Sequence, residues 1–361
     1  MLFTCAPADA SRGGSVARSQ RGRHFTMDMH CHIQVPKADA LVKHLDRPAE
    51  PLFAFASDAT RAVNKAQFAS IWPKLTSVDV RLADMDAGGI DMQALSPAPG
   101  HYHYWAPPEL GRETARVVND SIAALVQRHP DRFVGLGTIP LQNTEFAISE
   151  LNRVVADHGF RGIEIGTNVN GSELADERLR RVFARAEALD VVVFLHPNRF
   201  TDGRRLSEHY LNNIIGNPLE STIAVSHLIF GGVLDAYPRL KVCVAHGGGF
   251  LPTYSGRMDH AYAARSDCRQ CIAHPPSHYL RRMYFDTVVY TSHQLEYLVA
   301  QYGADHILMG TDYPYDMAES DPVGHIHRSA LTAEQQAEVL GLAAARLMKI
   351  DPARLEPGRR S

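Results

Sequence analysis

MDMHCH, residues 27–32, decides how the rest of the chain is read. A β-strand alternates its side chains, so His30 and His32 leave the same face and can grip one ion from one strand. Working outward, three more polar residues end apolar runs: His196 after VVVFL (191–195), His246 after KVCVA (241–245) and Asp312 after ILMGT (307–311). A lone His-x-His pair means little in a chain with 19 histidines. Polar residues placed repeatedly at the ends of buried strands mean more, because burying them without a ligand or partner is costly. Imidazole with carboxylate suits Zn²⁺, and the same donor set accepts Mn²⁺, Fe²⁺ or Co²⁺.

Eight short apolar runs occur in order, at 26–32, 90–96, 133–139, 162–166, 191–196, 241–246, 283–287 and 306–311. Near-continuous apolar strands are buried on both faces, as in a parallel sheet covered by helices. Helical patterns lie between them. One spans 109–128 behind Pro107-Pro108, one runs over 144–158 up to Gly159, and one over 176–189 is capped by Asp176. The last, 333–349, follows a Thr332-x-x-Gln335 capping box. This alternation predicts a (β/α)8 TIM barrel. A doubly wound open sheet is the rival. The barrel is preferred because the candidate ligands end strands one, five, six and eight, and only closure brings the first and last strands together.

The barrel is expected over 27–350. An insertion at about 33–76, with scattered prolines and aromatics such as Pro36, Pro48, Phe55 and Trp72, departs from the rhythm and reads as a lid or small subdomain. Residues 1–26 are polar and Arg-bearing and are expected to form a disordered extension, and 351–361 a C-terminal tail. The 361 residues are 45% hydrophobic and 21% charged, an ordinary globular balance. A net charge of −3, from 37 basic and 40 acidic residues, argues against a nucleic-acid partner. No apolar run approaches the ~18 residues of a membrane span. The five cysteines are odd in number and sparse, which points to a reducing cytoplasm rather than a disulfide framework.

A divalent ion held by His30, His32, His196 and Asp312 would lower the pKa of bound water towards ~7. His246, between the ligand strands, is a candidate to take that proton or return one to a product carbon. His246-Gly247-Gly248-Gly249 has the look of a hydrolase oxyanion loop, but no G-x-S-x-G elbow accompanies it. The glycines are expected to let a loop pass close to the metal site. Cys268-x-x-Cys271-x-x-His274-x-x-x-His278 has zinc-knuckle spacing, with plain loop residues as the blander reading. His101 to Trp105 follow strand two and are candidates to line a pocket.

At these residues the chain resembles the amidohydrolase superfamily, and within it the decarboxylase branch typified by 2-amino-3-carboxymuconate-6-semialdehyde decarboxylase. The resemblance runs from about Met27 to Leu347 and includes DMHCHI, DRFVGLGTIPLQ, LKVCVAHGGGFLPTYSGRMDH and MGTDYPY. It implies zinc ligands at His30, His32, His196 and Asp312, and a proton-handling histidine at His246. It also implies a homodimer in which Arg257 reaches the neighbouring site and holds a substrate carboxylate. Two positions depart from the family. Its substrate-binding arginine after a Phe is Ala69 here, and its Trp after His-Pro is Asn198. The substrate is therefore expected to differ, with Asn198, Ala69, Trp105 and Tyr315 as candidate contacts beside Arg257. The leading expectation is a zinc-dependent nonoxidative decarboxylase of an aromatic or unsaturated carboxylic acid. The alternative is a metal-dependent hydrolase of an amide, lactone or ring-fission product.

Overall fold

The computed structural model describes residues 24–46, 56–198, 200 and 202–354. Most of the expected N-terminal extension, residues 47–55 of the insertion and the end of the tail lie outside the described residues. Eight strands form one parallel sheet. They are β1 Met27–Ile33, β2 Met92–Pro97, β3 Phe133–Gly137, β4 Gly162–Ile165, β5 Val192–Leu195, β6 Lys241–Val244, β7 Tyr284–Asp286 and β8 Ile307–Leu308, hydrogen-bonded in that order. The two edges then meet. Met29 N–H donates to Met309 C=O at 2.8 Å and His32 N–H to Tyr313 C=O at 2.9 Å. The result is a (β/α)8 barrel, and each strand falls on one of the apolar runs.

Alternation explains the packing. Met27 and Met29, Met92 and Ala94, Val134 and Leu136, Val192 and Phe194, Cys243 and Ala245, and Leu308 fill the barrel interior. Ala343, Ala344, Leu347 and Met348 of the last helical segment close its floor. The other strand faces, including Ile163, Val193 and Val242, pack under the surrounding helices. Burying a Val, Leu, Ile, Phe or Met side chain is worth about 1.5–3 kcal/mol, so strands apolar on both faces stay between two layers.

Helices Pro108–Arg128, Thr144–Ala156 and Glu177–Leu189 match their sequence patterns, and Asp176 caps the third through its carboxylate. Thr332 and Gln335 form the expected capping box. The helix behind it is not uniform: Ala333–Ala337 passes through a π turn, Glu338–Leu342, into Ala343–Leu347. The insertion supplies helices Pro36–Val42 and Asp58–Thr76, the second capped by Ser57. Among the described residues no helix is long and apolar enough to cross a membrane.

Candidate metal centre

The strands end just before the chemistry. β5, β6 and β8 stop one to four residues short of His196, His246 and Asp312, which sit where the chain turns over the C-terminal rim. One nitrogen or oxygen each from His30, His196, His246 and Asp312 lie within 4.8 Å of one another. His32 joins them. Its Nε2 is 3.2 Å from His30 Nε2 and 3.2 Å from Asp312 Oδ1. His30 Nε2 is 3.3 Å from the same oxygen. All five residues are buried or nearly so, above Phe194 of the barrel interior, whose ring lies 5.1 Å from that of His30.

Tautomers decide what these atoms offer. Asp286 Oδ2 accepts from His30 Nδ1 at 2.6 Å, and Pro97 C=O accepts from His32 Nδ1 at 3.0 Å. A carbonyl can only accept, so the His32 proton sits on Nδ1, and the Asp286 carboxylate selects the same tautomer in His30. Both Nε2 atoms then turn lone pairs towards each other and towards Asp312 Oδ1. Such a cluster of acceptors is repulsive unless a cation stands among them, and a carboxylate behind a ligating histidine is the usual support of a metal site.

Burial disfavours the charged form of His30, but Asp312 and Asp286 outweigh it and hold the imidazole well above its ordinary 6.5, so Nε2 carries a proton that a bound cation would have to displace. Burial, then His32, His30 and His246, push His196 well below 6.5, leaving it neutral, the form that ligates metals. Asp312 stays well below 3.8 despite its burial, because His30, His246 and His32 surround it. Both His196 ring nitrogens, His246 Nδ1 and Asp312 Oδ1 are buried without a hydrogen-bond partner among the described residues. The residues fit a divalent ion.

Distance alone does not separate ligand from proton carrier, since His246 Nε2 is 3.5 Å from Asp312 Oδ2. His246 occupies a left-handed turn at φ 56°, and Asp312 a second at φ 62°, conformations that cost of order 1–3 kcal/mol for residues with a Cβ. Gly247, Gly248 and Gly249 follow at φ 59°, 82° and 66°, and a Cβ on Gly248 would meet the Phe285 ring at 2.6 Å. The glycines thus bring the His246 loop down onto the site. Asp286, which no short motif announces, accepts from the N–H groups of both His246 and Gly247. The signal for it was a charged residue closing the buried run MYF.

Two cavities meet at Asp312. The larger, ≈ 580 Å³, has His196, Asn198, Tyr315, Asp39, Arg61 and Lys65 in its walls. The smaller, ≈ 380 Å³, is mainly apolar and has His246, Phe250, Val289 and Met317 in its walls. Of the candidate substrate contacts, Asn198 and Tyr315 therefore face the site. Ala69 does not line the larger cavity, although Phe68 does, because one residue along helix Asp58–Thr76 turns it about 100° away. Trp105 lines neither cavity and packs edge-on against His103 instead. Arg257 is exposed on helix Leu251–Ala264 and lines neither. Met309 is wholly buried in the core.

Asp39, His101 and His103 form a second group with metal-like composition. Val35 N–H donates to His101 Nε2 at 2.8 Å, so the His101 proton sits on Nδ1, facing Asp39 Oδ1 at 3.6 Å. His101 has no lone pair left for an ion. Of the zinc-knuckle residues, His274 and His278 pack ring to ring at 4.3 Å, while Cys271 is exposed. Those four do not gather as a metal-holding group among the described residues.

A family model described as amidohydrolase matches residues 27–350. Over 276 residues the chain is 37% identical to a 2-amino-3-carboxymuconate-6-semialdehyde decarboxylase of Dictyostelium discoideum, covering 76% of this chain and 77% of that protein. It is 30% identical to a gamma-resorcylate decarboxylase of Rhizobium radiobacter, covering 76% and 87% respectively. Among solved structures, the 5-carboxyvanillate decarboxylase of Sphingomonas paucimobilis is similar with a TM-score of 0.82 at 27% identity, covering 91% of this chain and all of that one.

Proposed function

The chain belongs to the amidohydrolase family, and on that premise we propose that it is a metal-dependent, nonoxidative decarboxylase of an aromatic or unsaturated carboxylic acid. The observation that carries this reading is the pair of Nε2 lone pairs 3.2 Å apart beside Asp312. His30, His32, His196 and Asp312 would hold the ion, and zinc is the first choice for three imidazoles and a carboxylate. When bound, a divalent ion supplies a Lewis acid that withdraws electron density through substrate oxygens.

The chain's own residues do the rest. The larger cavity admits the acid, with Tyr315 and Asn198 beside it. His246 stands on the apolar side of Asp312 with its Nδ1 unengaged by the described residues. It is suited to deliver a proton to the carbon that loses its carboxylate. The C–C bond breaks, CO₂ departs, and a C–H bond takes its place, with one proton consumed. The low-dielectric wall keeps water from competing. The relatives are named as decarboxylases, which favours carbon–carbon cleavage over hydrolysis at a centre whose geometry suits either. A homodimer completes the reading. Arg257 is exposed and lines neither of its own site's cavities, as a residue serving a neighbour would.

The test is mass balance. Protein loaded with zinc or with manganese is incubated with hydroxybenzoates, carboxyvanillate-type acids and carboxymuconates. Release of CO₂, with products 44 Da lighter, supports the proposal. Products 18 Da heavier would transfer the site to hydrolysis, and an absence of turnover by loaded protein across the panel would remove the enzymatic reading.

A further inference from the structure

Among the described residues Cys268 and Cys271 do not gather with His274 and His278 around an ion, and the turn that carries them suits another chemistry. Ser266 and Gln270 are both helical, at φ −68° and −70°, on either side of the 3₁₀ turn Asp267–Arg269. The backbone between the two cysteines is therefore helical, and residues three apart on such a turn share one face. Their Cα atoms then stand roughly 5–6 Å apart, inside the range of about 4.4–6.8 Å that an unstrained disulfide spans. Both thiols are reachable, Cys268 partly and Cys271 freely exposed, whereas Cys31 and Cys243 are buried. Burial pushes those two thiols well above their ordinary 9.0 and leaves them inert.

The turn is tied down by its neighbours. Arg269, between the cysteines, donates from Nη1 to Tyr262 C=O at 3.0 Å and to Ala263 C=O at 2.9 Å, among the last carbonyls of helix Leu251–Ala264. Tyr262 Oη donates to Ala273 C=O at 3.0 Å. Gly232, at φ 74°, lies so close to Cys271 that a Cβ on it would meet the Cys271 carbonyl oxygen at 2.5 Å. A turn fixed in this way keeps the second thiol beside the first. Charge marks Cys268 as the nucleophile. Arg265 is held above its ordinary 12.5 by Asp267 and then by Cys268, so a guanidinium stands beside that sulfur. A neighbouring cation and partial exposure are what make a cysteine reactive.

We propose that Cys268 and Cys271 form a peroxide-responsive dithiol, a modification site apart from the metal centre that closes to an intramolecular disulfide. The Cys268 thiolate attacks one oxygen of hydrogen peroxide and the O–O bond breaks. Hydroxide leaves, takes a proton to become water, and a sulfenic acid remains on Cys268. The Cys271 thiol attacks that sulfur, the S–O bond breaks, an S–S bond forms and a second water departs. Two thiols and one peroxide thus give one disulfide and two waters, with two electrons passing from sulfur to oxygen. A small thiol reverses the change by exchange. Because Arg269 lies between the two sulfurs, the new bond forms at the end of the helix that bears Arg257. None of this depends on the decarboxylase reading.

The experiment is a thiol map. Zinc-loaded full-length protein is treated with stoichiometric hydrogen peroxide, blocked with iodoacetamide and digested with trypsin. Cleavage after Arg269 separates the two cysteines, so the disulfide is read as peptides 266–269 and 270–281 held together. The joined pair should be about 2 Da lighter than the two thiol peptides combined, and a small thiol should release both. On a non-reducing gel the chain is expected to run as a monomer. Cys268 is expected to oxidise about 10-fold or more faster than Cys31 and Cys243. In Cys271→Ser the Cys268 sulfenic acid should accumulate and be captured by dimedone, while in Cys268→Ser the Cys271 thiol should stay reduced. Circular dichroism melting establishes that each variant is folded. Separate blocked peptides after peroxide, a disulfide to any other cysteine, a cross-linked dimer, or undiminished oxidation of Cys271 in Cys268→Ser overturns the proposal.

Discussion

Asp286 and His30 are 256 residues apart in the chain, yet their side chains are joined at 2.6 Å. That bond sets the tautomer of His30 and aims its Nε2 at the centre. The Asp286 carboxylate is held below its ordinary value although burial opposes this, because His30, His246 and the Gly247 N–H favour its charge. Asp286→Asn keeps the shape and removes the charge. Metal affinity is expected to fall about 10- to 100-fold, measured by competition with a chelator of known affinity. An unchanged affinity would mean that the pair does not tune the ligand.

His196 and His246 lie on opposite cavities, and their substitutions should separate. His196→Ala is expected to lose the metal on dialysis. His246→Ala should retain stoichiometric metal by elemental analysis and lose turnover by about 10²-fold or more. Full rate in a metal-loaded His246→Ala protein would show that the proton comes from elsewhere.

Asp28 is wholly buried beneath the centre. Its Oδ1 accepts from His30 N–H at 3.1 Å and Thr311 N–H at 3.0 Å, and its Oδ2 from Gln93 at 2.9 Å and Thr311 Oγ1 at 2.8 Å. One carboxylate thus ties β1 to the segment bearing Asp312, while Arg81 supports Gln93 from behind. Asp28→Ala leaves these donors buried and unpaired. A loss of about 3–5 kcal/mol in denaturant unfolding is expected, and a loss under 1 kcal/mol would contradict this account.

Glu319 is held below its ordinary 4.5 despite burial, because His325 and the Asp321 N–H favour its charged form. A depressed folded value means the unfolded chain binds the proton first as pH falls. The stability Glu319 contributes is therefore present above about pH 4.5 and lost as pH drops through its lower folded value. Glu319→Gln should flatten that part of the acid limb in melting temperatures taken between about pH 3 and 6. A limb of unchanged steepness would assign acid sensitivity to other carboxylates.

If Arg257 serves a neighbouring site, inactive Arg257→Ala and His246→Ala proteins should complement when mixed and allowed to exchange subunits. Random pairing gives mixed dimers in half the population, each with one complete site, so about a quarter of wild-type activity should return. No recovery after verified exchange would confine Arg257 to its own subunit.

Sequence alone was enough for the strands and for the polar residues that end them. Both depend on local rules, the two-residue period of a strand and the cost of burying polar groups, and these act on neighbours in the chain. The runs around His30, His196, His246 and Asp312 carried that pattern openly, although their strands stop slightly earlier because the backbone leaves the ladder as it turns over the rim. Closure of the barrel decided the rest. Asp286 and Asp28 became supports only when strands seven, eight and one met. Ala69 left the cavity and Arg61 entered it through the rotation of one helix. Composition and period fix which residues are buried, but the atoms that face each other across a centre are set by how distant segments pack, a geometry that no local spacing encodes.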